Sequence, residues 1–154
     1  MRRVPFNYII LFVYTIAASI MVATITVFLD PKMILIAAIM TLGIFVGLTI
    51  FAFFIKSELT ILRGLIFTSG MTLLIMIVFL IIMPNRYIFT IVCSVVVVIV
   101  SIYIIYDTRL IVGHSKYNSL SYDDYIIGAV LVYSDIITLF LWLLSLIGAS
   151  NGNN

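Results

Sequence analysis

Residues 87–106 read YIFTIVCSVVVVIVSIYIIY and contain no charged side chain. A bilayer core about 30 Å thick is crossed by about 20 apolar residues of α-helix, so this stretch is long enough to span a membrane. Its β-branched residues favour strand in water, but the run is longer than the strand of a membrane barrel and does not alternate polar and apolar residues. A helix also pairs its own backbone polar groups, as hydrocarbon requires. The stretch therefore predicts a transmembrane helix.

Four more apolar runs flank this stretch, and prolines or charges separate them, as at Asp30-Pro31-Lys32 and Pro84-Asn85-Arg86. The predicted helices cover residues of about 6–29, 33–55, 64–83, 87–107 and 124–147. We therefore predict an all-α fold, a polytopic membrane bundle of about five transmembrane helices. It forms a single domain over residues 1–149, followed by a polar tail at 150–154, and we find no internal repeat.

Composition supports lipid as the solvent of this chain. Hydrophobic residues make up 65% of the sequence and charged residues 9%, and the mean hydropathy is +1.36. Globular domains carry about 25% charged residues, so a water-soluble fold of this size would lack the charges to cover its surface. No Lys/Arg run with interleaved aromatics is present, which argues against nucleic acid as a partner. Cys93 is the single cysteine and has no partner for an internal disulfide.

Lys and Arg residues predict the orientation, because they are enriched in cytoplasmic loops. With five spans, six of them fall on one side and two on the other. The first set is Arg2, Arg3, Lys56, Arg63, Arg109 and Lys116, and the second is Lys32 and Arg86. This asymmetry places the N-terminus in the cytoplasm and the C-terminal tail across the membrane. An alternative stays open, in which the last segment re-enters instead of spanning and the tail returns to the cytoplasm.

Basic residues also precede the first apolar stretch, as in a signal peptide. The stretch runs from Ile9 to Leu29, longer than the apolar region of about 7–15 residues in signal peptides. We therefore predict a first helix that is retained and also targets the chain to the membrane.

Two acids stand out among the apolar runs. Asp107 lies at the predicted end of the fourth helix, and Asp135 lies well inside the fifth. An ionised acid at membrane depth is costly and normally has a partner. Asp107 could be an interfacial acid beside Arg109, and Asp135 could be a protonated structural residue. Alternatively the two acids approach each other and share a proton, and their oxygens could bind a hard cation such as Ca²⁺.

The remaining features carry less chemistry. Gly43 and Gly47 form a small-xxx-small pair that suits close helix packing. We predict packing within the chain's own bundle, with dimerisation as the alternative. His114 stands in a polar segment without a second His or a Cys nearby, so we interpret it as a loop residue and not a metal ligand. No nucleophile motif frames the Ser, His and Asp residues, and we expect neither an enzyme nor a bound cofactor.

Three motifs of the C-terminal third carry a resemblance. They are Tyr106-Asp107-Thr108, then Ser121 to Tyr125 with its two acids, and Tyr133-Ser134-Asp135-Ile136 with the Leu139-Phe140 pair that follows. Together they resemble the signature of the Bax-inhibitor (Lifeguard) membrane family, most of all its Lifeguard and Golgi anti-apoptotic branch. Residues 100–148 carry the specific part of this resemblance, and residues 5–55 are similar with less specific motifs.

The resemblance implies a seven-helix fold of which this chain would be a part, starting at the third helix. It implies that Asp107 and Asp135 form a pH-sensing acid pair, with Ca²⁺ leaking from internal stores as the transported ion, and that eukaryotic members protect from cell death. The implied membrane is that of the Golgi or endoplasmic reticulum in a eukaryotic or viral setting. The implied partners are the lipid bilayer and full-length family members or other membrane proteins.

Two departures from the family keep an alternative open. The first two helices are expected to be absent, together with a basic residue that the family uses near the acid pair. The third family helix often carries a Glu where this chain has Ala17-Ala18-Ser19. The alternative is a non-transporting interaction protein, or a truncated subunit that modulates a full-length relative.

Overall fold

Five α-helices make up the computed structural model, which describes residues 4–55, 59–82, 84–112 and 125–151. They are α1 Val4–Thr26, α2 Pro31–Phe54, α3 Leu59–Ile82, α4 Arg86–Val112 and α5 Tyr125–Asn151. The described residues contain no strand. The prediction of an all-α fold is therefore confirmed.

All five helices contain a stretch that is long and apolar enough to cross a membrane. Large apolar side chains also cover the outside of the bundle, where Phe12 is 67% exposed, Phe67 72% and Ile75 67%. Exposure of such a continuous apolar surface to water is unfavourable, whereas acyl chains solvate it. The chain is thus a multi-pass membrane protein, as the length of the apolar runs predicts.

Most hydroxyl groups inside the spans are satisfied within their own helices, and the buried Oγ1 of Thr49 in α2 is an exception. Thr41 Oγ1 donates to the carbonyl oxygen of Ala37 at 2.7 Å, and Ser145 Oγ donates to that of Leu141 at 2.8 Å. Because each bond reaches back four residues, the hydroxyl adds no polar surface to the lipid-facing side. This explains how these helices hold Ser and Thr within hydrocarbon.

The helices begin and end where the sequence places proline and polar side chains. Pro31 is the first residue of α2 and follows Asp30, whose carbonyl oxygen accepts from the N–H of Met33 at 2.9 Å. Asn85 precedes α4, and its Oδ1 accepts from the backbone N–H of Tyr87 at 3.0 Å. Such a side-chain cap satisfies one of the N–H groups that the first helical turn leaves unpaired.

The centre of the bundle is the pair α4 and α5. Helix α2 packs against both, α3 packs against α4, and α1 packs against α5. The buried cluster between them consists of Val92, Val96, Val100 and Ile104 from α4, and Leu139 and Leu143 from α5. These residues recur every four positions, so each helix presents one ridge to its neighbour.

Two arginines connect the ends of neighbouring helices. Arg86 at the start of α4 donates from Nε to the carbonyl oxygen of Ala149, near the end of α5, at 3.2 Å. Arg109 in the last turn of α4 donates from Nη1 to the carbonyl oxygen of Ile55, which caps α2, at 2.7 Å. The first bond shows that α5 runs antiparallel to α4 and traverses the same thickness. This geometry favours a spanning last segment over a re-entrant one.

Helices α4 and α5 extend further than the sequence predicts. Helix α4 continues beyond residue 107 to Val112, because Arg109 is only 6% exposed and finds its hydrogen-bond partner inside the protein. Helix α5 continues to Asn151, so the polar tail expected from residue 150 begins within the helix. Asp107 therefore lies inside α4 and not at its end.

Gly43 and Gly47 require a correction. A Cβ atom built on either glycine would meet no described heavy atom within 4 Å outside its own stretch of helix, and both residues are exposed. The predicted close packing within the chain's own bundle is therefore wrong for the described part of the chain. The reason is that α2 packs against α4 and α5 through its other face, where Ala37, Thr41 and Ala52 are buried.

Candidate functional site

Asp107 of α4 and Asp135 of α5 meet across the central helix pair. Their carboxyl groups are hydrogen-bonded to each other, and Asp107 is only 9% exposed. Asp107 lies about 7.5 Å along the axis from the end of α4 at Val112, and Asp135 about 15 Å from the start of α5 at Tyr125. Both acids are thus well inside helices that can span the membrane.

A hydrogen bond between two carboxyl groups requires a proton on one of them, because an ionised carboxylate only accepts. The pair with one proton carries a single negative charge, and the pair without it carries two charges at contact distance. Two such charges repel strongly where little water screens them. The arrangement therefore links the protonation of the pair to how closely α4 and α5 approach each other.

Arg109 does not pair with Asp107 in the way that their proximity in sequence suggests. It stands two residues after Asp107, and side chains two apart on a helix do not face each other. Its Nη1 instead donates to the carbonyl oxygen of Ile55. This charge-assisted bond, at the C-terminal end of the α2 dipole, fixes α2 beside the stretch of α4 that carries the acid.

A dry apolar layer lies one helical turn deeper in the membrane than the acid pair. Ile104 precedes Asp107 by three residues, Leu139 follows Asp135 by four, and both have 0% exposure. Leu143, one further turn along α5, is 2% exposed. We call Ile104, Leu139 and Leu143 the apolar plug. It fills the contact between α4 and α5 on that side of the acid pair, and a hydrophobic constriction of this kind excludes water and ions.

An aromatic contact holds α1 against the same part of α5. The rings of Tyr14 and Tyr133 meet edge to face, with centroids 5.9 Å apart and planes at 75°. This geometry suits the positive edge of one ring and the negative face of the other. Because Tyr133 lies two residues before Asp135, the contact fixes α5 close to the acid pair.

The number of ligands in the acid pair limits how it can bind a metal ion. Among the described residues, no group of three or more His, Cys, Asp and Glu side chains comes together. Ca²⁺ takes about 6–8 oxygen ligands, and two carboxylates supply at most four of them.

Several residues from the sequence analysis lie outside the described part of the chain. They are Arg2, Arg3, Lys56, His114, Lys116, Ser121, Asp123 and Asp124. The structure adds the link from Arg109 to Ile55 and the contact of Tyr14 with Tyr133, which sequence reasoning missed. No local sequence pattern predicts either contact, because each contact joins residues from distant parts of the chain.

Comparison with known proteins agrees with the resemblance carried by the acid motifs. A profile of the family described as "Inhibitor of apoptosis-promoting Bax1" matches residues 1–152. Protein lifeguard 3 of Homo sapiens is 34% identical over 154 residues, which is 97% of this chain and 49% of the relative. Protein lifeguard 3 of Mus musculus is 32% identical over 152 residues, which is 96% of this chain and 49% of the relative.

The match to a third relative covers a larger share of that relative's length. Protein lifeguard 4 of Mus musculus is 34% identical over 148 residues, or 96% of this chain and 60% of the relative. The chain thus spans about half the length of the lifeguard 3 proteins that it matches. No solved structure gives a significant match.

Proposed function

The chain belongs to the family of inhibitors of apoptosis-promoting Bax1, and on that premise we propose that it regulates cell death from within a membrane by a pH-sensitive Ca²⁺ leak. The hydrogen-bonded pair Asp107 and Asp135 would be the sensor and part of the ion path. The proposed membrane is that of the Golgi or endoplasmic reticulum, which the family resemblance favours. The observation that carries the proposal is an acid pair between two membrane-spanning helices, in which Asp107 is buried and Asp135 is half-buried.

Proton and Ca²⁺ compete for the same oxygens in this proposal. A protonated pair has one negative charge and a proton between the carboxyl groups, which leaves no bidentate site for a divalent cation. Loss of the proton gives two negative charges that attract Ca²⁺ and, until it arrives, repel α4 from α5. Separation of these helices would loosen the apolar plug, because Ile104 lies on α4 while Leu139 and Leu143 lie on α5.

We expect Ca²⁺ flux through the purified chain in sealed vesicles to decrease as the pH falls. The direction of this change in flux follows from the competition between proton and Ca²⁺, since acid returns the proton to the pair and removes the second negative charge. Flux is measured with a Ca²⁺ dye trapped inside vesicles, at equal Ca²⁺ gradients and at pH values from mildly alkaline to mildly acidic. Vesicles without protein give the background at each pH. Flux that equals the background at every pH would reject the channel role for this chain.

The open face of α2 supports a second candidate function. Gly43 and Gly47 leave room for the close approach of another helix, and small-xxx-small pairs favour such approach in lipid. The chain would then act without transport, by packing against a full-length relative or another membrane protein. Co-purification with a seven-helix relative that Gly43→Leu abolishes, together with absence of flux from the chain alone, would favour this candidate. Recovery of the wild-type chain only as a monomer in mild detergent would count against it.

A further inference from the structure

A cavity of about 340 Å³ lies between α3, α4 and α5, and it reaches one member of the acid pair, Asp135. Its walls are mostly aliphatic, with Leu73 and Met76 from α3 and Val96 from α4 among them. Asp135, Thr138 and Trp142 of α5 supply the polar side of the lining together with Tyr103 of α4. Pockets for small organic ligands have volumes of about 300–1,000 Å³ and this same mixture of apolar walls with a few polar groups.

The charge of Asp135 restricts what the cavity can hold. Its carboxyl group interacts with that of Asp107, and Asp135 is the member of the pair that lines the cavity. A cation in the cavity therefore meets the single charge of the pair when the shared proton lies on Asp107. A charge beside hydrocarbon is stabilised most by an opposite charge that displaces water. A neutral apolar guest would fill the volume and leave the charge unpaired, while a bare metal ion would face aliphatic walls on most sides.

We propose that this cavity binds an organic ammonium ion with an apolar body. The ammonium group pairs with the Asp135 carboxylate, with the Thr138 hydroxyl beside it, and the body lies against Leu73, Met76 and Val96. Both parts of such a ligand match the wall that they meet. The site shares Asp135 with the proposed Ca²⁺ path, but binding there does not depend on transport, because the ligand need not cross the apolar plug.

Trp142 gives a direct reading of occupancy. It is the single tryptophan of the chain and lines the cavity, so a brominated ligand that enters will quench its fluorescence on contact. The probes are 4-bromobenzylamine and 4-bromobenzyl alcohol, which differ in charge and share size and bromine. Each is titrated into the purified full chain in mild detergent at neutral pH, where the amine is protonated.

We expect the amine to reach half-maximal quenching at a concentration at least about tenfold lower than the alcohol, the factor that a charge-assisted hydrogen bond supplies. In Asp135→Asn the preference for the amine should disappear, while Asp30→Asn, which changes an exposed acid between α1 and α2, should retain it. Leu73→Phe reduces the volume and should weaken both probes without changing their ratio. Circular dichroism confirms that each variant is helical.

Three results would overturn the proposal. The first is equal quenching of the wild type by amine and alcohol, which means partition into the micelle alone. The second is an unchanged preference for the amine in Asp135→Asn. The third is unaltered quenching by the amine in a folded Leu73→Phe chain, which means that the ligand lies outside this cavity. This third result decides the matter if Asp135→Asn does not fold.

Discussion

Replacement of Asp135 by asparagine is expected to lower Ca²⁺ flux at neutral pH by at least about tenfold and to remove its dependence on pH. Asparagine keeps the shape of the side chain and can still hydrogen-bond to Asp107, but it has no charge and no exchangeable acid proton. A hydrogen bond to a charged group contributes about 1.5–3 kcal/mol, and we expect the loss of one charged ligand of the cation to cost at least as much, which corresponds to about tenfold or more in binding. Flux is measured in the same dye-filled vesicles as for the wild type.

The matched controls separate the acid pair from a general effect of charge. Asp107→Asn removes the other member of the pair and should reproduce the loss. Asp30→Asn removes an exposed acid outside the pair and should leave both flux and its pH dependence unchanged. A folded Asp135→Asn chain that conducts like the wild type over the whole pH range would show that the pair is not the sensor.

Truncation of Leu139 to alanine is expected to lower the free energy of unfolding by about 2–5 kcal/mol. Leu139 has 0% exposure and packs in the cluster with Val96, Val100 and Ile104. Removing its isobutyl group leaves a void that neither lipid nor water fills, so the surrounding side chains lose their dispersion contacts. The free energy is measured by reversible unfolding in mixed micelles, followed by helical circular dichroism.

Leu35→Ala is the matched control, because the same atoms are removed from a side chain that is 62% exposed. Lipid replaces the lost contacts there, and we expect a change of only about 0.5 kcal/mol. An equal loss of stability in the two variants would mean that α4 and α5 do not form the packed centre of the bundle.

The five spanning helices could be predicted from sequence because one physical quantity decides them. A run such as 87–106 is stable only in hydrocarbon, and in hydrocarbon it must be helical. The ends of the helices were harder to predict, since polar residues stop a helix only where they reach water. Thr108 and Arg109 are both buried, and α4 continues through them to Val112.

The acid pair depends on a contact between helices that residue spacing does not encode. Spacing leaves Asp107 and Asp135 with three interpretations, and the family motifs single out their pairing before the structure places them together. Gly43 and Gly47 show the opposite case, because the motif indicates close packing without indicating which surface is packed. Their face of α2 is open within the described chain.

In the proposed function, the apolar plug and the acid pair link one proton to the ion path. The helices that carry the two acids are the same helices that form the plug, so a change in their separation acts on both. Arg109 holds α2 beside this region through Ile55, and Tyr14 holds α1 there through Tyr133. The centre of the account is therefore the contact between the side chains at positions 107 and 135.

Disulfide formation between cysteines at these two positions measures that contact most directly. Cys93 is first changed to alanine, which leaves no other thiol, and Asp107→Cys is combined with Asp135→Cys in the membrane-embedded chain. We expect mild oxidation to consume both thiols within a monomer, seen as loss of alkylation under denaturing conditions. The control pair, Asp107→Cys with Ala129→Cys at an exposed position of α5, should stay reduced. Thiols at 107 and 135 that remain alkylated to the same extent as the control pair would contradict the account.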